Sequence, residues 1–567
     1  MSVERLNDSN GGSRQVFNLL DEPWIWVRTN DGETREVSLT DALVEAHAIA
    51  CLAADIPTQD FAILRLMLAV LLRSVTSGLT GHEDPIELWS SLWVEGRLPS
   101  ETIRSYLDVW HDRFDLFDPD HPFMQVPDLE ACNGTVGEPR KLVADHPDGL
   151  ALFSVKMPET LEELTFAEAA RWLVHVQVFD TSGIKTGCKD DASIKKGKSY
   201  PIGCGWVGNL GGVYCVGDSL AKTLLLNLVL VDFDDTSEVY AFEDDLPVWE
   251  QPTQRPGDEQ RLPFGMADML TWQSRRVRLV PKGNVVTGAL LTNGNRLDPV
   301  NLWRSETMTC WRENENQEKR LGIKPVYTPI RHDPSRSFWR GLASVLVPGK
   351  GKNDGNVKTA GVVEWVALLT DADYDASIDE DEMISVHATG ISYGTQNAVI
   401  SEMIDDDVRI STFLLSDMGK GARMVVDSCL EATAETVSLL GLLARRIELA
   451  AGADSVPAAA ARDAATAEAY FELGNAFLPW VASIGKASDL AERREAWHTN
   501  AYRILLALAV RLVSDANPAA LVGRKVKVGN TEQWLSAGGA EQAFRVKLAQ
   551  VLVFARRQHN NDEERDR

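Results

Sequence analysis

The chain has 567 residues, 44% of them hydrophobic and 25% charged, and a formal net charge of −26. That length exceeds one ordinary core, so two or three domains are expected, and the balance is that of a globular protein. Such an acid excess excludes nucleic-acid binding over the whole surface, while leaving open a local contact inside a larger, basic assembly.

The first fourteen residues are polar and rich in Gly, Ser and Asn, without the basic-then-apolar layout of a secretion signal. No apolar run reaches the roughly 20 residues of a bilayer span. The nearest, Phe61–Val75, is broken by Arg65 and Arg73. A cytoplasmic location with no membrane partner is expected. Seven scattered cysteines with no C-x-x-C fit that compartment and encode no zinc knuckle.

Up to about residue 405 the pattern is mixed. Helical periodicity at Asp41–Cys51, Thr58–Ser77, Thr102–Phe114, Thr165–Val178 and Ser219–Leu228 alternates with short β-like runs, Val277–Val280 and Val362–Leu369. Acidic stretches (Asp232–Asp245, Asp371–Glu382, Asp405–Asp407) are separated by basic clusters at Lys185–Lys198 and Arg275–Lys282. From Leu430 the apolar stripe Val437, Leu440, Ala444, Ile447 predicts a half-buried helix. Gly452 and Pro457 punctuate it. A second helix carries Tyr470, Phe471 and Phe477, and Pro479 and Gly485 end or kink it. A third opens at Asp489 with Glu492 three residues on, a capping-box-like start. The fourth holds Phe544, Leu548, Val551 and Leu552, with Arg556 and Arg557 near its end. The expected fold class is α+β: a mixed α/β domain over residues 1–405, then a four-helix bundle over 406–567.

Catalytic signatures are weak. Gly203-Cys204-Gly205-Trp206-Val207-Gly208 fits G-x-G-x-x-G, and Asp232 lies near the distance of a ribose-binding acid. The dinucleotide fingerprint needs a strand before the glycines and a helix opening directly after them. Here Lys195–Tyr200 is a poor buried strand, and Gly211 and Gly212 would weaken the following helix by about 2 kcal/mol relative to alanine. A nucleotide-dependent enzyme therefore stays only as the alternative reading. His111-Asp112 and His332-Asp333 are isolated pairs with no converging ligand set, so no catalytic residue, metal or cofactor is assigned.

Five stretches, in order, resemble one family. Asn18-Leu-Leu-Asp-Glu-Pro-Trp-Ile-Trp-Val27 is similar to its opening, and His121-Pro-Phe-Met-Gln125 matches its HPFMQ segment. Leu220–Leu230, Trp272-Gln273 and Gly390–Asp407 resemble its Leu-rich helix, its strand entry and the hairpin preceding its bundle. That family is the large subunit of type I-E CRISPR Cascade surveillance complexes (CasA). The resemblance implies a non-catalytic subunit that checks the protospacer-adjacent motif (PAM) in the minor groove of double-stranded target DNA. It also implies help with duplex opening and R-loop formation, and a docking platform for the helicase-nuclease. Its implied partners are the other Cascade subunits, the crRNA 5′ handle, the duplex target and the helicase-nuclease. In such guided effectors, base pairing with the RNA reads the sequence, and the minor groove suits a checkpoint that accepts several motifs.

The resemblance assigns residues as well. Its glycine loop falls on Gly203-Cys204-Gly205, with Cys204 a departure from the pattern. Its wedge hairpin falls on Tyr393–Ala398, where Gln396-Asn397 matches the inserting pair in swapped order. The lysine finger falls on Asn293, with Arg296 close by, and Phe153-Ser154-Val155 resembles the loop that touches the guide handle. Lys195, Lys196 and Lys198, with Arg275, Arg276 and Arg278, are expected to contact DNA phosphates.

Overall fold

The computed structural model describes residues 15–77, 84–145, 161–232, 235–239, 244–258, 261–346, 357–371, 378–528 and 531–555. Its N-terminal core is organised by the helix Pro57–Thr76, which opens on a proline and is buried along nearly its whole length. Other elements cover it on nearly every side, and its two arginines are paired with Glu306 and Glu250. The helix Phe166–Phe179 packs against it, fixed at its start by a reciprocal capping box between Thr165 and Glu168. Around these helices lie small antiparallel sheets. One has the strand order Ile400–Ser411, Met383–Tyr393, Gly212–Val216, and another Arg275–Lys282, Val285–Asn293, Leu164–Thr165.

The HPFMQ segment is scaffolding. Gln125 is buried; its Nε2 donates to the Leu116 carbonyl at 2.9 Å, and its Oε1 accepts from the Leu279 amide at 2.8 Å. Phe123 stacks on Phe114 with ring centroids 5.1 Å apart. One glutamine thus joins an irregular loop to the strand Arg275–Lys282, satisfying polar groups that would be costly to bury unpaired.

The C-terminal part is formed by the helices Lys420–Ala451, Ser455–Ala482, Leu490–Ser514 and Ala537–Val551. Gly452, at φ +103°, ends the first in the left-handed conformation glycine adopts freely. Asp489 caps the third as expected, accepting from the amides of Ala491 and Glu492. Trp480 and Trp497 (5.2 Å between centroids) and Phe477 form the aromatic centre. Trp339, from the 3-10 turn Phe338–Ser344, stacks on Phe477 at 4.8 Å. It fits because Gly474 has no side chain: a Cβ there would lie 2.9 Å from the indole nitrogen. The bundle is thereby keyed onto the mixed part.

Three expectations are corrected. The run Val362–Leu369 is not a strand but the buried helix Gly361–Asp371, since a short apolar run does not by itself distinguish the two. A boundary at 405/406 would cut through the strand Ile400–Ser411, which pairs with Met383–Tyr393 along its length; the helical part begins at Lys420, ahead of the expected Leu430. Between the third and fourth long helices lies an unexpected hairpin, Arg524–Val528 with Thr531–Leu535. Arg556 and Arg557 lie outside the described residues.

Candidate nucleic-acid interface

The site is assembled around Asp180, the residue that ends helix Phe166–Phe179. Its carboxylate is almost fully buried and pairs with Lys185 Nζ at 2.6 Å and with Arg275 Nε. Burial pushes the Asp180 carboxyl up, but Lys185 and Arg275 outweigh that and hold it below its ordinary value. Arg275 Nη2 also donates to the Gly203 carbonyl at 2.8 Å and the Thr181 carbonyl at 3.2 Å. The Asp180 carbonyl accepts from the Gly205 amide at 2.7 Å. Arg275 of the ion pair thus holds the Gly203 end of the glycine loop, and the Asp180 backbone holds the Gly205 end.

Within that loop the three residues do different work. A Cβ on Gly205 would sit 2.6 Å from the Val178 carbonyl carbon and oxygen, so this glycine lets the loop close on its own helix. Cys204 is turned inward, its Sγ 3.3 Å from Asn209 Oδ1, and burial pushes its thiol up. Gly203, at φ +112° with open space where a Cβ would be, alone leaves its backbone approachable.

The hairpin tip is tied to the same junction. Tyr393 Oη donates to the Phe179 carbonyl at 2.6 Å, and a Cβ on Gly208 would strike that hydroxyl at 2.4 Å. The Ser182 amide donates to the Asn397 carbonyl at 2.8 Å. Gln396 (φ +59°) and Asn397 (φ +56°) are both left-handed, and the Gln396 side chain is exposed. Two consecutive non-glycine residues there cost about 1–2 kcal/mol each. The tip is held in that shape by the anchors at its base.

The lysines form a second hairpin. Lys185–Thr186 pairs with Lys198–Ser199, and Lys195 and Lys198 exchange amide-to-carbonyl bonds of 3.1 Å across left-handed Lys196 and Gly197. This is the two-residue turn whose twist matches its strands. Lys195, Lys196 and Lys198 are exposed at its end, with no ion pair among the described residues.

Other assignments are corrected by burial. Arg275 is fully buried, and Arg276 is buried with Nη1 3.4 Å from Asp191 and Nη2 2.9 Å from the Asp258 carbonyl. Both are internal braces. As consecutive strand residues they point to opposite faces, and at this end of the strand both faces are covered, by Asp180 on one side and by Asp191 and the Pro256–Asp258 segment on the other. Arg278 is exposed and donates to the Leu129 carbonyl at 3.1 Å. Asn293 is no finger: it is buried at a strand end, its Nδ2 donating to Tyr200 O (2.9 Å) and Ser199 Oγ (3.1 Å). It braces the segment leading from the lysine hairpin to the glycine loop. Arg296 is exposed and pairs with Asp298 at 2.9 Å. Phe153, Ser154 and Val155 lie outside the described residues.

The nucleotide alternative loses its structural context. Only the two-residue strand Lys198–Ser199 precedes the glycines, and the 3-10 turn Trp206–Asn209 follows, so no helix N-terminus faces the loop. Trp206 is buried instead, its Nε1 donating to Glu306 at 2.6 Å. Among the described residues no His, Cys, Asp and Glu cluster could hold a metal, and no helix is long and apolar enough to cross a membrane. The reading of the residues missed Asp180, Lys185 and Tyr393 as the joints. The one available signal was an acid and a lysine flanking the end of an apolar helix.

This architecture is shared by solved proteins. Thermobifida fusca Cse1 superposes with a TM-score of 0.84 at 39% identity, covering 95% of this chain and 99% of that one. Cse1 from Acidimicrobium ferrooxidans gives 0.79 at 29% identity, covering 96% and 99%. Residues 18–508 match the family model for CRISPR-associated protein Cse1. The CasA/Cse1 protein of Thermus thermophilus is 33% identical over 352 residues, an alignment spanning 60% of this chain and 62% of the length of that curated relative. The chain belongs to the Cse1 (CasA) family, the large subunit of type I-E Cascade.

Proposed function

We infer that this subunit checks the PAM of double-stranded target DNA from the minor groove and starts strand separation. It does so within a complex carrying the crRNA 5′ handle and the other Cascade subunits, and offers a docking platform to the helicase-nuclease. On this reading it supplies no catalytic group. The observation that carries it is the joining of the Gln396-Asn397 tip, with Gln396 exposed and Asn397 half-buried, and the glycine loop at one buried junction. A wedge must keep its shape while base pairs unstack against it, at a few kcal/mol per step. Anchors at Phe179, Ser182 and Gly208 supply that rigidity. Amides at the tip can hydrogen-bond to base edges exposed by opening.

The charge distribution is compatible with this. The acidic triplet Asp405–Asp407 begins six residues beyond Val399 along an extended strand, about 20 Å from the tip at 3.3 Å per residue, with the single exposed Glu402 about 10 Å away. The triplet is thus about two screening lengths of roughly 8–10 Å from the tip in physiological salt, and Glu402 about one. Near the glycine loop, the exposed lysine turn supplies phosphate contacts instead.

The test is binding of duplex target, with and without its flanking motif, by the guide-loaded complex. Wild type is compared with Gln396→Ala/Asn397→Ala. Loss of motif dependence and strand opening with assembly intact supports the assignment; unchanged binding removes the wedge from it. Neutralising Lys195, Lys196 and Lys198 should weaken binding to all motifs and flatten its salt dependence, by about 0.9 in log–log slope for each phosphate no longer neutralised.

A further inference from the structure

Beside the hairpin tip lies a cavity of about 370 Å³. Its walls are the segment 137–144, the loop 180–186 that follows helix Phe166–Phe179, and residues 398–400, which come directly after the Gln396-Asn397 tip. Val399 is three residues from Gln396, so at most about 11 Å of chain separates the tip from the cavity. The volume falls at the lower end of the range of small-molecule sites.

The lining combines three chemistries. Buried Leu142, Phe179 and Leu291 are apolar, and at the mouth Ile184 and Val399 are 58% and 43% exposed. Two apolar side chains left in water at one mouth offer a flat ring a surface to cover. The hydroxyls of Thr181, Ser182 and Thr186 also line the cavity and make no hydrogen bond among the described residues. A hydroxyl can donate or accept, so such a set suits a ligand whose polar edge varies. Charge is matched at two positions, Lys185 pairing with Asp180 and Arg140 with Glu138, each at 2.6 Å. Lys141 is exposed and has no carboxylate partner among the described residues. One available cation beside an apolar slot calls for a single anion attached to a flat apolar body, which is the chemistry of one nucleotide. The hydroxyl set also fits a base whose identity changes from target to target, because pairing with the guide reads the sequence there.

We propose that this cavity receives one nucleobase extruded from the duplex as the tip parts the strands, its ring against Ile184 and Val399 and its phosphate on Lys141. The proposal rests on the reading of the tip as a wedge. It adds a place that holds the first opened base and opposes its re-pairing, as proteins that take a base out of the stack hold it in a shaped pocket.

The experiment uses the guide-loaded complex and a motif-bearing duplex with 2-aminopurine at the first position beyond the motif or, as control, at the fourth. One arm carries the probe in the target strand, the other in the displaced strand. The fluorescence of this base rises when it leaves the stack, and in one strand the first position should be at least twofold brighter than the fourth. Gly183→Leu should abolish that excess: Gly183 lines the cavity, its backbone is not left-handed, and no heavy atom lies within 4 Å of its Cβ position. Ile184→Asp, at the exposed mouth, should abolish it too, with assembly of the complex intact in both variants. No excess in either strand, or an excess that survives either variant, overturns the proposal. A probe in the guide's 5′ handle whose signal responds to Gly183→Leu before DNA is added also overturns it, by assigning the cavity to the RNA. The two readings fail separately. Opening unchanged in Gln396→Ala/Asn397→Ala defeats the wedge, and with it a base delivered by the tip, whereas equal brightness at the two positions in wild type defeats the pocket alone.

Discussion

In the C-terminal helices the buried contacts are mostly apolar. The buried charge among the described residues there is Arg423, at the start of the first helix, which donates to the Leu414 and Ser416 carbonyls where the bundle meets the mixed part. Leu473, Phe477, Trp480 and Trp497 meet from two helices, and Thr433 Oγ1 satisfies the one indole that faces it, at 3.0 Å from Trp497 Nε1. The mixed part buries charge instead. Arg65 and Glu306 are each 1% exposed and form a two-pronged pair with both bonds at 2.8 Å, and Trp206 donates to the same carboxylate. Asp180, Lys185 and Arg275 repeat the device 95 residues apart in sequence. The difference follows from what each part must hold. Helices satisfy their own backbone and need only a stripe. Irregular loops expose carbonyls and amides, and a buried guanidinium can tie several at once while fixing their positions. The cost is desolvation, so such a core is specific before it is stable.

The sharpest way to break this comparison is Arg65→Met. It strands the Glu306 carboxylate, and we expect a loss of about 3–5 kcal/mol in urea unfolding. Arg65→Met/Glu306→Gln should recover much of that loss, because no buried charge is left unpaired. A single-variant loss under about 1 kcal/mol would remove charge from the account of this core. In the bundle, Leu473→Ala should cost about 2–5 kcal/mol through the cavity it leaves, with no second-site charge variant able to restore it.

The contrast also explains what could be read from the chain. The bundle helices, the Asp489 cap and the Phe166–Phe179 helix were legible because their rules are local: periodicity, capping residues and a terminal glycine. The glycine loop and the hairpin were located through family resemblance, whose stretches stand in order. Arg275, Arg276 and Asn293 were misread because a basic run looks the same whether it faces water or an acid 95 residues away. What decides it is which distant segments cover each face of the strand, and those contacts are not visible in the sequence. Tyr393 acts through a partner distant in the chain, so no local rule marks it, and Asp180 carries only the weak local signal of a nearby lysine, its second partner Arg275 being distant.

A smaller effect separates the halves by pH. Asp60 holds its proton to about pH 7 in the folded chain against an ordinary value of 3.8, with the Ala54 amide bonded to it and Asp405 and Asp55 facing it. The unfolded chain therefore releases the proton first, and stability is lost as pH rises from about 4 until the folded group has ionised near 7. Between pH 5 and pH 8 the loss should be about 2–3 kcal/mol. Asp60→Asn should remove most of that slope in urea titrations at the two pH values. An unchanged slope would assign the pH dependence to other groups.

The smallest test asks whether the two parts differ in their local rules at all. Thr165 caps a helix of the mixed part, accepting from the Glu168 amide at 3.1 Å, and Asp489 caps one of the bundle, accepting from Ala491 at 2.9 Å. Both caps are at exposed positions and both satisfy amides that a helix cannot bond internally. Thr165→Ala and Asp489→Ala should each cost about 1 kcal/mol. Equal losses mean that the secondary structure of both parts obeys the same local chemistry, and that only long-range contacts distinguish them. A much larger loss for Thr165→Ala would mean that the cap also holds the strand pair Leu164–Thr165 with Val285–Val286. Strand closure would then be coupled to the helix whose far end carries Asp180. In that case the junction beneath the glycine loop is tuned from both ends of one helix, and the same variant should loosen motif discrimination in the duplex-binding assay.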